Sequence, residues 1–191
     1  MALEKIKGIR LDMLLIISLI IGIGIGAAVG ANMTQQGLMA IYSDGVYTAG
    51  DDWVSAFFSY FIGSAAFVTA AFLMGFCAVS QPFELALVAF KGMGLGVLAR
   101  SIYSCDNILI RIALFIPFAV LSSGILIMQS CDSVAMSTRY LMLSVTAENR
   151  LGIAHEFRDY IFRFMIYLTA CAAVSAVNCL MLRLFDYLGM I

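Results

Sequence analysis

Residues 13–31 read MLLIISLIIGIGIGAAVGA, a run without a single charged side chain. A helix needs roughly 20 mostly apolar residues to cross the hydrocarbon of a bilayer, so this run predicts a transmembrane helix. The charges that precede it, on Lys5, Lys7 and Arg10, would also suit a secretory signal peptide. Because the apolar stretch is longer than the roughly 7–15 residues of a signal-peptide core, we favour a retained helix.

The composition of the whole chain supports the same class. Of its 191 residues 63% are hydrophobic and 12% are charged, and the mean hydropathy is +1.01. Soluble domains carry about 45–50% apolar and about 25% charged residues. A soluble domain of this size could not hide the surplus apolar surface, which excludes a soluble enzyme and a disordered chain. The net charge of −1 gives no basic field for nucleic acid.

Charge-poor runs predict how often the chain crosses the membrane. The runs are continuous and do not alternate with polar residues, which favours helices over a β-barrel. We see no internal repeat and no Pro- or Ser-rich linker, so residues 1–191 form one predicted domain. The expected fold is an all-α bundle of five transmembrane helices with a short cytoplasmic helical segment before the last helix. The helices are predicted near residues 12–32, 54–79, 83–103, 108–129 and 159–184.

The distribution of Lys and Arg predicts the orientation, because cytoplasmic loops carry an excess of these residues. The loop that holds Asp44, Asp51 and Asp52 has no basic residue, which suits the outer face. This places the N-terminus in the cytoplasm and the C-terminus outside it. The side of the N-terminus then holds Lys5, Lys7, Arg10, Arg139, Arg150, Arg158 and Arg163, and the other side holds Arg100, Arg111 and Arg183.

A glycine repeat marks one face of the first helix. Gly22, Gly26 and Gly30 recur every four residues, whereas Gly24 lies off their face. Such a stripe lets a second helix approach closely. Packing inside this bundle is the favoured interpretation, and contact with a partner or a second copy of the chain is the alternative.

Two charged residues lie in the third predicted helix. Glu84 and Lys91 are seven residues apart, which is two turns on one face and about 10 Å of rise. A charge in a membrane is expensive and often marks a functional site, although a lysine can also reach water or cap carbonyl groups. Gly92, Gly94 and Gly96 follow, so the helix is expected to be broken or tightly packed there.

Two prolines and a polar segment complete the candidate features. Pro82 predicts a tight turn before the third helix. Pro117 predicts a kink whose freed carbonyl groups would be met by Ser122, by Ser123 or by neighbouring helices. In the polar segment 132–160, Arg139 is a candidate for contact with a partner or with lipid headgroups. Beyond Arg158, the residues expected to face the bundle are Tyr160, Ile161 and Phe164.

The sequence offers little material for catalysis. There are five cysteines without a Cys-x-x-Cys pair, and one histidine, His155, without a nucleophile in a recognisable motif. These counts favour neither a disulfide framework nor a zinc site. We therefore predict a protein without enzymatic activity, metal or cofactor.

Residues 73–99, LMGFCAVSQPFELALVAFKGMGLGVLA, resemble the stage II sporulation protein M family of integral membrane proteins. That family has an apolar helix, a short turn, and then a helix with Lys-Gly and a further glycine. Lys91, Gly92 and Gly96 stand in those places, with Pro82 in the turn. Pro117 and Arg139 also fit the next part of the pattern. The chain departs from it in the turn, which lacks the usual glycine, and in the fourth helix, where Ser123-Gly124 replaces a frequent second proline.

The resemblance implies a membrane scaffold without chemistry of its own, in the plasma membrane of a bacterium. Family members act when one cell of a sporulating bacterium engulfs the other, and they hold peptidoglycan-degrading proteins at the septum. The expected partners are therefore the lipid bilayer and cell-wall hydrolases. The alternative is the membrane subunit of a transporter, in which Glu84 and Lys91 line a path.

Overall fold

The computed structural model describes residues 2–30, 53–77, 79–103, 108–146 and 153–187. Within these ranges the chain is helical apart from short turns. The predicted outer loop, which holds Asp44, Asp51 and Asp52, lies outside the described residues. Arg150 also lies outside them. So do the side chains of Lys5, Lys7, Arg10, Trp53 and Arg111. The helices are α1 Ala2–Val29, α2 Trp53–Met74, α3 Gln81–Tyr103, α4 Ile108–Thr146 and α5 Ile153–Tyr187.

All five helices are long and apolar enough to cross a membrane. The apolar windows are Leu11–Val29, Val54–Met74, Gln81–Arg100, Phe115–Met142 and Phe157–Phe185. The prediction of an all-α bundle with five transmembrane helices is confirmed, and the chain is a multi-pass membrane protein. Many large apolar side chains of α1 are exposed, including Ile20 and Ile21, as expected for a surface that faces lipid.

Successive helices run in opposite directions. Residues 22 and 26 of α1 lie against residues 89 and 93 of α3, so these two helices are parallel. In contrast, Phe72 and Phe76 of α2 meet Phe164 and Phe157 of α5 in reversed order. The start of α1, the α2–α3 turn and the α4–α5 connection are therefore at one end of the bundle, which we call the N-terminal end.

The α2–α3 turn comes earlier than predicted. Helix α2 ends at Met74 and not near residue 79, because the chain tightens at Gly75, whose amide shares its hydrogen bond between the carbonyl groups of Ala71 and Phe72. Phe76 and Cys77 then bond to carbonyls only three residues back. Pro82 occupies the first turn of α3, where its missing amide hydrogen costs no helical bond.

The cytoplasmic helical segment predicted before the last helix is not a separate element. Helix α4 has 39 residues, which is about 58 Å, and α5 has 35 residues, so the two helices together absorb most of residues 132–160. Asp132 does not end α4, because Arg163 and Tyr167 of α5 bind its two carboxylate oxygens at 2.9 and 2.8 Å. The predicted end of the fourth helix at residue 129 is therefore too early.

Candidate functional site

Four glycines form the contact between α1 and α3, which we call the glycine seam: Gly22, Gly26, Gly92 and Gly96. A β-carbon at Gly22 or Gly26 would collide with the backbone carbonyl of Ala89 or Met93. A β-carbon at Gly92 or Gly96 would collide with that of Leu19 or Ile23. The backbones of the two helices therefore touch directly, which is possible only because these positions carry no side chain.

The ends of the seam are consistent with this geometry. Gly30 lies beside Val97 and also closes the last turn of α1 through a 2.9 Å bond from its amide to Gly26. At the other end, the hydroxyl of Ser18 donates to the carbonyl of Leu85 at 2.8 Å. Gly24 faces open space. The glycine face of α1 is thus occupied by α3 of the same chain.

Helix α3 is continuous through its glycines. It runs over 23 residues from Gln81 to Tyr103, so it is a full-length helix and is not broken at Gly92, Gly94 or Gly96. Of the two expected forms, the structure has the tightly packed one. The glycines weaken the helix locally, but their contact with α1 compensates for this.

Lys91 is enclosed within the bundle and is only 3% exposed. Its ammonium nitrogen lies 4.9 Å from the ring centroid of Phe67 of α2, at a distance typical of cation–π contact. The thiol of Cys171 of α5 is close enough to interact with it electrostatically. The structure therefore shows neither a lysine that reaches the bundle surface nor one that caps a broken helix.

Glu84 is fully buried one turn into α3. Its amide donates to the carbonyl of Ser80 at 2.9 Å, which fixes the start of the helix. The hydroxyl of Ser133 of α4 donates to the Oε1 atom of Glu84 at 2.5 Å.

A second serine of α4 holds the α2–α3 turn. The hydroxyl of Ser137 donates to the carbonyl of Cys77 at 2.6 Å and accepts a hydrogen bond from the amide of Ser80 at 3.4 Å. The turn that carries Pro82 and leads to Glu84 is thus anchored to α4. Pro82 itself acts through the backbone, as the turn residue that opens α3.

Tyr160 of α5 closes the same region. Its hydroxyl donates to the carbonyl of Phe72 at 2.9 Å and accepts from the amide nitrogen of Gln129 at 3.3 Å. Its ring stacks on Phe72 with centroids 4.9 Å apart. Gly75 allows this approach, because a β-carbon there would collide with the Tyr160 hydroxyl.

A groove of about 370 Å³ lies between α4 and α5 at the N-terminal end of the bundle. Its charged lining residues include Arg139, which is exposed. His155 Nδ1 lies 3.3 Å from Asp159, one turn along α5, and both side chains are largely exposed. The groove is lined by Asp132, Ala135, Met136, Arg139, His155, Asp159, Tyr160 and Arg163.

The expectations for Pro117 and for the last helix are only partly met. Helix α4 continues through Pro117, and Ser122 donates to the carbonyl of Ala119 at 3.4 Å. Ala119 follows Pro117 in the chain, so this bond does not meet a carbonyl group that the proline frees. In α5, Tyr160 is buried as expected, whereas Ile161 is 37% exposed, so the prediction that Ile161 faces the bundle is wrong.

Sequence reasoning missed the polar residues of α4 that surround Glu84. Gln129, Ser130, Ser133 and Ser137 recur at helical spacing and are all buried. Because the sequence interpretation assigns the segment from Asp132 onward to a cytoplasmic connection, it does not place Ser133 and Ser137 inside the bundle. The available signal was a polar stripe with a period near 3.6 residues that begins before Asp132.

The described residues hold no group of three or more His, Cys, Asp or Glu side chains that could bind a metal ion. Comparison with known proteins does not extend the assignment. No protein-family model, no curated protein and no solved structure matches the chain. The functional argument therefore depends on the geometry of the site and on the resemblance described above.

Proposed function

We propose that the chain is a non-catalytic scaffold of the bacterial plasma membrane that recruits cell-wall hydrolases, the role that its resemblance to the stage II sporulation protein M family implies. The observation that carries this proposal is the glycine seam. Gly92 and Gly96, which belong to the resembling motif, support the closest helix contact described in the chain. A scaffold needs a rigid fold to present its partners at fixed positions, and direct backbone contact supplies such rigidity.

The surroundings of Lys91 support the same interpretation. The ammonium group is packed between Phe67 and the neighbourhood of Cys171 and is almost wholly enclosed. A lysine in this setting joins α3 to α2 and α5. Its function is then to fix the arrangement of the three helices on which partner binding depends.

Crosslinking and co-purification from native membranes test the proposal, with Lys91→Met as the variant. We expect the unmodified chain to recover cell-wall hydrolases. Lys91→Met should insert normally, because it removes a charge from an apolar helix, but it should recover fewer partners because the packing of α3 changes. Arg183→Met is the control, since Arg183 is exposed near the other end of the bundle. Normal abundance and full partner recovery for Lys91→Met would contradict the role assigned to Lys91.

A transporter subunit is the second candidate, and one specific observation favours it. Buried polar side chains recur along the interior of the bundle, beyond the two charges of α3. They are Ser64, Ser122, Ser123, Gln129, Ser130, Ser133, Ser137, Ser175 and Asn178. Polar groups inside a membrane bundle often mark a substrate path. Recovery of an ATPase in place of hydrolases, with loss of flux but normal assembly in Lys91→Met, would favour this candidate.

The proposed orientation has its own test. With the N-terminus in the cytoplasm, a membrane-impermeant thiol reagent added to intact cells should modify Asp44→Cys and leave Glu148→Cys unmodified. The background for both should lack reactive native cysteines. The reverse labelling pattern would invert the proposed topology and place the loop that holds Asp44 in the cytoplasm, on the side away from the cell wall.

A further inference from the structure

Oxygen-bearing side chains from three helices and one turn meet in the interior near the N-terminal end of the bundle. The serines, the glutamine and the glutamate among them are fully buried, and the tyrosine is 4% exposed. The hydrogen bonds of Ser133 to Glu84 and of Gln129 to Tyr160 connect the members in pairs. We call this group the Glu84 cluster, and it comprises Ser80, Glu84, Gln129, Ser130, Ser133 and Tyr160.

Four oxygens of the Glu84 cluster make no hydrogen bond of good geometry among the described residues, although the Ser130 hydroxyl lies close enough to the Glu84 carboxyl group to interact with it. They are Oε2 of Glu84, Oε1 of Gln129, and the hydroxyl oxygens of Ser80 and Ser130. Burying one polar group without a partner costs about 1–3 kcal/mol, and four in one place is unusual for a native protein. All four can accept a hydrogen bond or bind a cation.

Three described acids lie in or near the cluster. Glu84 lies close enough to Tyr160 and Cys131 to act on them electrostatically, and Cys131 is also near Asp132, the next residue of α4, and Asp12 of α1. Arg163 neutralises Asp132, whereas Asp12 accepts a hydrogen bond from the thiol of Cys131 at 2.9 Å. Lys91 lies two turns along α3 and is packed over Phe67. Glu84 is thus the acid that lies within the cluster itself.

We propose that the Glu84 cluster binds a sodium ion. Carboxylate, amide and hydroxyl oxygens are hard ligands that suit hard cations. One buried carboxylate matches one positive charge, so a monovalent ion leaves the site neutral and removes the cost of an isolated charge in the membrane. Mg²⁺ and Ca²⁺ are less suited, because a single carboxylate would leave a net positive charge buried. The site does not depend on the scaffold role.

The binding of sodium can be measured on the purified full chain in detergent micelles. We expect the apparent Tm to rise with NaCl, by about 3–6 °C once the ion exceeds its Kd tenfold. KCl and choline chloride at the same ionic strength should raise it less. Radioactive sodium should bind in parallel and be displaced by unlabelled sodium. No rise in Tm, or an equal rise with all three salts, would overturn the proposal.

Variants test whether the sodium-dependent rise in Tm arises at the Glu84 cluster. Glu84→Gln keeps the shape of the side chain and an acceptor for Ser133, so the fold should persist while the sodium-dependent shift disappears. Ser130→Ala should weaken sodium binding several-fold, and it provides a second measurement if Glu84→Gln does not accumulate. Asp159→Asn is the control, because this acid is exposed and pairs with His155, and it should retain the full shift.

Two further outcomes would contradict the assignment of a sodium ion to the Glu84 cluster. A sodium-dependent shift that survives in Glu84→Gln would place the ion elsewhere. A Tm that rises on acidification in the unmodified chain but ignores sodium at every pH would mean that Glu84 carries a proton in place of the ion. Because neither measurement uses a partner protein, failure here leaves the scaffold proposal standing, and the reverse also holds.

Discussion

The glycine seam and the Glu84 cluster attach α3 to its neighbours through different kinds of contact. At the seam, α1 and α3 touch through their backbones, and nothing polar is needed between Gly26 and Met93. At the cluster, the buried Glu84 side chain accepts a hydrogen bond from Ser133 of α4. The seam therefore depends on the absence of side chains, whereas the cluster depends on the identity of particular ones. Substitutions should affect the two regions in different ways.

The largest effect is expected at the seam, for Gly26→Leu. Its β-carbon would collide with the backbone of Met93, which cannot move without displacing α3. Overpacking of a close contact costs about 1–3 kcal/mol, and the upper end or more is expected where backbone opposes it. The measurement is the amount of folded protein in membranes and the apparent Tm in detergent.

Gly24→Leu is the matched control, because it adds the same side chain two residues away, where nothing lies within 4 Å. It should leave both measurements close to those of the unmodified chain. Equal losses for Gly24→Leu and Gly26→Leu would mean that general changes to α1, and not the contact with α3, decide stability.

The glycine face of α1 and the number of helices could be predicted because both are local in sequence. A spacing of four residues places Gly22, Gly26 and Gly30 on one face whatever surrounds the helix. Long apolar runs must cross the bilayer as helices, because the hydrocarbon offers no partner for the backbone. The sequence did not reveal that α3 would occupy the glycine face, since the spacing within α1 holds no information about its neighbour.

The polar stripe of α4 is visible in the sequence, but its meeting with Glu84 could not be predicted, because it depends on contacts between distant residues. Asp132 suggested the end of a helix, yet α4 continues past it because Arg163 and Tyr167, more than thirty positions away, bind its carboxylate. Once α4 extends, Ser133 and Ser137 are carried along the bundle to Glu84 and to the α2–α3 turn. The two bonds to Asp132 thus explain why the polar residues that follow it belong to α4 and not to a cytoplasmic connection.

A smaller effect is expected within the cluster, for Tyr160→Phe. The change keeps the ring that stacks on Phe72 but removes the hydroxyl that bonds to the Phe72 carbonyl and to Gln129. A lost hydrogen bond that leaves buried partners costs about 1–3 kcal/mol, so a fall in unfolding free energy within that range is expected. Tyr187→Phe is the control, because Tyr187 is 91% exposed and should change little. Equal stability of the two variants would show that the hydroxyl of Tyr160 is not needed.

The smallest effect is expected for Arg163→Gln, at the edge of the cluster. The ion pair of Arg163 with Asp132 is 2.9 Å long, but 60% of the arginine side chain is exposed, so water and salt screen it. Exposed pairs contribute about 0.2–1 kcal/mol, and Asp132 retains its hydrogen bond from Tyr167. The loss in stability should therefore lie in that range and shrink as KCl is raised, a salt chosen to avoid the proposed sodium site.

Arg158→Gln provides the comparison for that measurement. Arg158 is also exposed on α5, and its substitution removes the same charge without changing the ion pair of Asp132. If Arg163→Gln lowers the free energy of unfolding more than Arg158→Gln only at low salt, the ion pair adds a little stability to the end of α4. It is then not required for α4 to continue past Asp132. A loss well above about 1 kcal/mol that persists at high salt would show the opposite. In that case Arg163 would be the residue that makes α4 continue past Asp132, and the Glu84 cluster would depend on a surface arginine as much as on its own buried oxygens.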